Sequence, residues 1–229
     1  MLGEGSKSLL AIVAALNEEE GIGPTIAELR QHLENPAILV VDGRSRDRTV
    51  EIAKKMNVDV FLQEGKGKGS AVDQAISHVD FDVDYVILTD ADYTYPAMYI
   101  PQMVHILEKN PRIGMVCGNR FNGHLDLGRM HELLFFGNRL LAFSHNLMNG
   151  VQLRDPLTGL RVLRWEILKD WKPKSKGFDI EVELNHHVER KGYGIVEIPI
   201  DYRVRLGEKK LKMKHGFVIL KRILSESLS

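Results

Sequence analysis

The 229-residue sequence holds a single cysteine, Cys117, so no disulfide can form within the chain. That excludes a small cross-linked scaffold and points to a reducing, cytoplasmic setting. Cys117 lies in an apolar stretch, the surroundings of a core residue rather than of a reactive thiol. Net charge is also lacking: 31 Lys+Arg balance 31 Asp+Glu, which removes the overall pull toward nucleic acid. No uninterrupted apolar run approaches the ~20 residues needed to cross a bilayer. Met1–Ser8 is short and polar, and Leu9–Leu16 is too short for an export signal with its cleavage site. The expectation is a protein that does not cross a membrane but can lie on one.

A glycine-rich phosphate turn is missing as well. After its first strand a dinucleotide enzyme places Gly-x-Gly-x-x-Gly, which lets pyrophosphate approach the backbone. Here that position reads Leu16-Asn17-Glu18-Glu19-Glu20, whose acids repel phosphate. Gly65-Lys66-Gly67-Lys68-Gly69-Ser70 lacks the four-residue spacer of a P-loop and follows the third strand rather than the first. It reads instead as a helix entry that brings Lys68 near a nucleotide.

What is present is a repeated strand–helix pattern. Leu9–Leu16, Ile38–Val41 and Tyr85–Leu88 are apolar runs, the mark of strands covered on both faces, and Val58–Leu62 reads as a further strand. Between them fall a helix opened by Pro24 with Ile26, Leu29 and Leu33 on one face, a helix capped by Asp47, and a helix over Gly69–His78. This predicts an α/β protein with a Rossmann-like, mostly parallel sheet flanked by helices, with ligands at the carboxyl ends of the strands. Further along, Ile113–Gly118 and Leu160–Leu163 read as strands, Met130–Met148 and Asp179–Lys191 as helices, and Ile195–Val204 as extended chain. We divide the chain into a catalytic domain over 1–215 and an amphipathic helix over 216–229.

The polar residues gather where such a sheet binds ligands. Leu88-Thr89-Asp90-Ala91-Asp92 ends a buried strand in two carboxylates, which repel one another unless a cation sits between them. Mg²⁺ or Mn²⁺ suits that place, bridging Asp90 and Asp92 to substrate phosphates. Alone the pattern describes equally well a solvated turn ahead of Pro96. Asn17 and Glu18 can hydrogen-bond a base or ribose; Asp42, ending the second strand, can accept from the imide of uracil or from N1–H and the amino group of guanine.

Taken together, Asn17-Glu18-x-Glu20, Asp42-Gly-x-Ser45-x-Asp47-x-Thr49, Gly67-Lys68-Gly69 and Asp90-Ala91-Asp92 before Pro96 resemble glycosyltransferase family 2. Gly118-Asn119-Arg120, Asn138-Arg139, Asp155-Pro156-x-Thr158-Gly159-Leu160-Arg161 and the stretch from Arg205 to Lys210 resemble its polyprenyl-phosphate (dolichyl-phosphate) hexosyltransferase branch. The resemblance implies a GT-A fold, a nucleotide-sugar donor, a divalent metal and inversion at the anomeric carbon. It implies donor contacts from Leu16, Asn17, Glu18, Asp42, Lys68, Asp90 and Ala91. Gly43 stands where a second acid is usual and Thr94 where mannosyl members often carry Gln, so UDP-glucose and GDP-mannose both remain open.

A polyprenyl monophosphate is already nucleophilic at neutral pH, because its second pKa lies near ~6 as in phosphoamino acids. It needs cations rather than a base, and Arg120, Arg129, Arg139, Arg205 and Lys210 are the candidates. A hydroxyl acceptor would need a carboxylate base, for which Phe178-Asp179-Ile180-Glu181 offers Asp179 foremost, a residue that serves equally well as a helix cap. Asp92, Asp179 and Arg205 are thus the candidate catalytic residues. Leu133–Phe136 and Leu140–Phe143 form a very apolar helix, and Arg203–Arg222 is basic with Glu208 its only acid. That pairing suits a peripheral position on the cytoplasmic face of the cell membrane. Burial of the helix against the sheet, a homodimer, or a small membrane partner would use the same surface. A family 2 enzyme with a hydroxyl acceptor and a non-catalytic nucleotide-sugar binding subunit are the competing functions; the intact Asp90/Asp92 pair argues against the second.

Overall fold

The computed structural model describes residues 7–121, 146, 153–208 and 213–226. Seven strands form one sheet: β1 (Leu9–Ala15), β2 (Ala37–Asp42), β3 (Asp59–Leu62), β4 (Tyr85–Asp90), β5 (Ile113–Asn119), β6 (Arg161–Arg164) and β7 (Gly194–Pro199). Helices α1 (Ile22–His32), α2 (Thr49–Lys55) and α3 (Lys68–His78) alternate with the first strands. A single turn at Ala97–Tyr99 leads into α4 (Ile100–Lys109), which the apolar pattern did not single out. The short α5 (Trp165–Leu168), then α6 (Ile180–Arg190) and α7 (Met213–Glu226), complete the described elements. The helix anticipated from Gly216 starts three residues earlier, and apart from Asn146 the helix expected over Met130–Met148 lies outside the described residues.

The strand order is β3-β2-β1-β4-β6-β5-β7. Strands β1 to β4 are parallel as expected, but β6 runs antiparallel to both β4 and β5. Strand direction leaves no trace in apolar periodicity, which reports only which faces are buried. Alternation along the strands splits the core in two. Ala11, Val13, Val40 and Ile87 face α1 and α4, whereas Leu10, Ile12, Val41 and Leu88 face α3 and α6. The chain runs outward from β1 through β2 to β3, then returns to β4 on the other side of β1. That reversal is a topological switch point, the place where open α/β sheets bind ligands. Register sets Ala15 opposite Asp42 and Ala14 opposite Asp90, so the two acids flank the end of β1.

Candidate active site

Three aspartates at this end of the sheet are held by the same local device. The Ser45 N–H and hydroxyl donate to the two oxygens of Asp42 at 2.7 and 2.5 Å. The Thr49 N–H and hydroxyl donate to Asp47 Oδ1 at 3.0 and 2.5 Å, and the Thr94 pair to Asp92 Oδ1 at 3.1 and 2.6 Å. Each is an Asx-type turn in which backbone and hydroxyl fix a carboxylate. Asp47 also accepts from the Glu19 N–H at 3.1 Å, so it ties the turn after β1 to the start of α2.

The turn after β1 is drawn against the one after β2. Asn17, at φ 50°, donates its N–H to Ser45 Oγ and accepts the Arg46 N–H on its side chain, both at 2.8 Å. The Glu18 N–H donates to Thr49 Oγ1 at 2.8 Å, and its side chain is buried. Leu16 is 42% exposed beside this pair, an apolar surface at the rim. α1 starts so close to the acidic turn that a Cβ on Gly21 would lie 2.5 Å from the Ala91 carbonyl oxygen, which only glycine permits.

Cations from distant segments close the acidic cluster. Lys68 Nζ, at the start of α3, lies 2.7 Å from Asp90 and 2.9 Å from Glu181 at the start of α6. Burial alone would lower the Lys68 pKa; Asp90 and Glu181 outweigh it and hold the ammonium well above its usual range. Arg205 bridges Asp92, at 2.6 Å, and Glu18. Its segment is stitched to the Asp92–Thr94 turn by the Leu206 N–H to the Asp92 carbonyl, 3.1 Å, and the Arg203 N–H to the Thr94 carbonyl, 3.0 Å. Arg205 Nε is buried without a hydrogen-bond partner among the described residues. The Asp92 carboxyl is pushed up, first by burial and then by the charge of Asp90, against the opposing effects of Thr94 and Arg205.

The remaining candidates fall apart from this cluster. Arg120 grips Asp155 with Nε and Nη2, each at 2.7 Å, and its guanidinium lies 5.4 Å from the Tyr202 ring centre. Its fork is therefore engaged within the protein. Asp179 receives Arg222 of α7 at 3.1 Å, and Glu181, from the same stretch, is the α6 residue that reaches Lys68. Arg129, Arg139 and Lys210 lie outside the described residues. Arg161, only 1% exposed, donates to the carbonyls of Pro156 and Thr158 and to Asn185, which fixes the loop entering β6. That loop brings Gly159 against Asp90, where a Cβ would run into the carboxylate and sit 2.9 Å from Tyr95 Cε2.

Asp90 and Asp92 fit a hard divalent cation: two carboxylates separated by one residue at a strand end. No group of three or more His, Cys, Asp or Glu suited to a metal occurs among the described residues. Such a pair is the ligand set of an ion that takes its other oxygens from phosphate and water.

Comparison with known proteins agrees with this reading of the fold. The model of Glycosyl transferase family 2 matches residues 10–172. A Dolichyl-phosphate hexose transferase from Haloferax volcanii is 35% identical over 206 residues, 89% of this chain and 86% of that protein. A Dolichol-phosphate mannosyltransferase from Pyrococcus furiosus is 28% identical over 222 residues, 93% of this chain but only 61% of that longer protein. Glucosyl-3-phosphoglycerate synthase from Mycobacterium tuberculosis, solved with Mn²⁺, UDP-glucose and phosphoglyceric acid, superposes with a TM-score of 0.76 at 19% identity, over 96% of this chain and 80% of that one. The sheet order, the acidic switch point and these matches lead to one assignment: the chain belongs to glycosyltransferase family 2 and has the GT-A fold.

Proposed function

We propose that the chain transfers a hexose from UDP-glucose or GDP-mannose to a polyprenyl (dolichyl) monophosphate, with inversion, at the cytoplasmic membrane face. The observation that carries this is Arg205. It spans Asp92 and Glu18 at the switch point and keeps a buried N–H without a partner among the described residues, as a residue awaiting phosphate would. The relatives named for dolichyl-phosphate transfer support the same acceptor.

In this reading Asp42, Asn17, Glu18 and the Leu16 rim receive the nucleoside. Ala91, between the two acids, lets the donor lie along the backbone. Asp90 and Asp92 would hold Mg²⁺ or Mn²⁺, which when bound would neutralise the departing diphosphate. Lys68, paired to Asp90, adds positive charge on the donor side. Arg205 orients the acceptor phosphate for attack from the opposite face, alongside Lys210, Arg129 and Arg139 as further cations, and Arg120 keeps the loop at Asp155 in place. Because the phosphate is already ionised, no carboxylate base is required.

A hydroxyl acceptor is the second reading. It is favoured by Glu181, whose Oε2 is buried without a partner among the described residues, with Asp179 two residues before it.

The test is a transfer assay with Mg²⁺ or Mn²⁺, a panel of UDP- and GDP-hexoses and a short-chain polyprenyl monophosphate. Metal-dependent lipid product from one donor, reduced about 10³-fold in Asp92→Ala, is expected, the range of losing a main electrostatic contact. Donor binding without lipid product would favour the hydroxyl acceptor, and Glu181→Gln would then abolish transfer.

A further inference from the structure

Lys68 stands on a carboxylate that a divalent cation would need. Its ammonium lies 2.7 Å from Asp90 Oδ1. A fixed positive charge at that distance repels a metal ion and offsets the negative charge that would hold it. Asp90 Oδ2 is the oxygen that remains, and Gly159 beside it carries no side chain to cover it.

Glu181 counters the ammonium. Its Oε1 lies 2.9 Å from the same Nζ, so Lys68, Asp90 and Glu181 together carry one net negative charge. The side chains of Lys68 and Glu181 are only 14% and 8% exposed. Val72, Leu88, Ile180 and Leu184 line a cavity of about 20 Å³ with them, so water screens these charges little.

The backbone brings the two side chains together. The Gly69 N–H donates to the Gly177 carbonyl at 3.1 Å and the Ser70 N–H to the Lys176 carbonyl at 3.3 Å, joining the first turn of α3 to the segment ahead of α6. A Cβ on Gly67 would run into the Lys176 carbonyl and one on Gly69 into that of Ser175, so both positions call for glycine, and Gly67 also has φ 98°. Glu183 accepts the N–H groups of Lys174 and Ser175 at 2.7 and 2.6 Å, which ties the same segment to α6. This joint sets Glu181 opposite Lys68 by contacts other than the ion pair itself.

We propose that Glu181 is a positioning residue for the metal pair: its charge balances Lys68, keeps the ammonium shared between two carboxylates, and leaves Asp90 the negative charge that a divalent cation requires. The inference deepens the reading of Asp90 and Asp92 as the ligands of that cation and rests on it. Glu181 then acts through Lys68 and Asp90 rather than on the acceptor.

The experiment is a Mn²⁺ titration of the full chain, followed by the paramagnetic resonance signal of the free ion. It is made without nucleotide, so that any contact of Lys68 with phosphate drops out. Glu181→Gln keeps the shape and removes the charge; Mn²⁺ binding is expected to weaken roughly tenfold or more, because the group around Asp90 is then neutral. Lys68→Met/Glu181→Gln removes both opposing charges and is expected to return the affinity to within a few-fold of the unaltered chain. A purely structural role for Glu181 gives no such recovery, since the double variant has lost the ion pair altogether. Equal binding by Glu181→Gln would overturn the proposal, as would a double variant as weak as the single one. No binding by the unaltered chain, even with UDP or GDP added, would overturn the metal assignment and the proposal with it. Raised Mn²⁺ is expected to restore transfer in Glu181→Gln; transfer still absent at saturating metal would overturn the proposal in favour of a carboxylate base. Lipid product plays no part in the titration, so failure of the lipid-acceptor reading is seen separately.

Discussion

The charges of this molecule are held by two different means. Asp42, Asp47 and Asp92 are each fixed by a residue two or three positions along the chain: Asp42 by Ser45, Asp47 by Thr49, Asp92 by Thr94. Other charges meet partners from far away: Lys68 with Asp90, Arg120 with Asp155, Arg203 with Glu28, and Arg205 with Glu18 and the same Asp92. A local turn forms with its own segment, whereas a distant ion pair exists only once the whole sheet is assembled. The local turns should therefore tolerate single losses, and the distant pairs should not.

The sharpest break in that comparison is Arg120→Ala. Asp155 is 1% exposed and takes both arms of the guanidinium, so truncation leaves a carboxylate charged and buried. Loss of one partner from such a pair costs about 3–5 kcal/mol, which lowers Tm by roughly 10 °C in a domain of this size. Thermal unfolding checks it. The Arg120→Met/Asp155→Leu variant should recover part of the loss, because the stranded charge is gone.

Thr94→Val probes the local device. The hydroxyl bond to Asp92 disappears while the Thr94 N–H still donates to the same oxygen. About 1 kcal/mol of stability should be lost, with a few-fold fall in transfer as Asp92 gains freedom. A loss as large as that of Arg120→Ala would erase the distinction between the two means.

The same distinction governs what the sequence discloses. The buried strands β1, β2 and β4, and acids at their carboxyl ends, are legible because periodicity and short spacing carry them. Asp42, Asp90 and Asp92 therefore stand out in the chain itself. The pairing of Lys68 with Glu181, and of Arg205 with Glu18, is not legible: residue type is visible, but the partner is set by α6 and by the 201–208 segment crossing over the Asp92 turn. Asp179 and Glu181 illustrate the limit. They are two residues apart at one helix start, and only packing decides that one meets Arg222 and the other Lys68. The inward turn of Arg161 follows from the loop at Pro156–Gly159, where the Pro156 and Thr158 carbonyls need donors that no apolar pattern announces.

The smallest effect belongs to neither kind of pair. His186 is buried, and His187 lies 2.7 Å from the Ile167 carbonyl with its ring stacked on Trp171 at 5.0 Å between centres. Burial is the largest influence on both imidazoles and pushes them below the usual range near ~6.5. The unfolded chain then binds protons that the folded chain resists. Stability from this source is complete above the unfolded value and is lost as the pH falls through the depressed folded values. Tm should therefore decline gently below pH ~6.5, before the carboxylate turns titrate. In His186→Asn/His187→Gln that early slope should flatten while the steeper loss at lower pH, to which the Asp47 carboxyl contributes because its hydrogen bonds from Thr49 and Glu19 outweigh its burial and hold it below its usual value, stays where it is. A slope unchanged by the double substitution would assign the early loss to the carboxylates, and the locally held acids would then be the weaker side of the comparison.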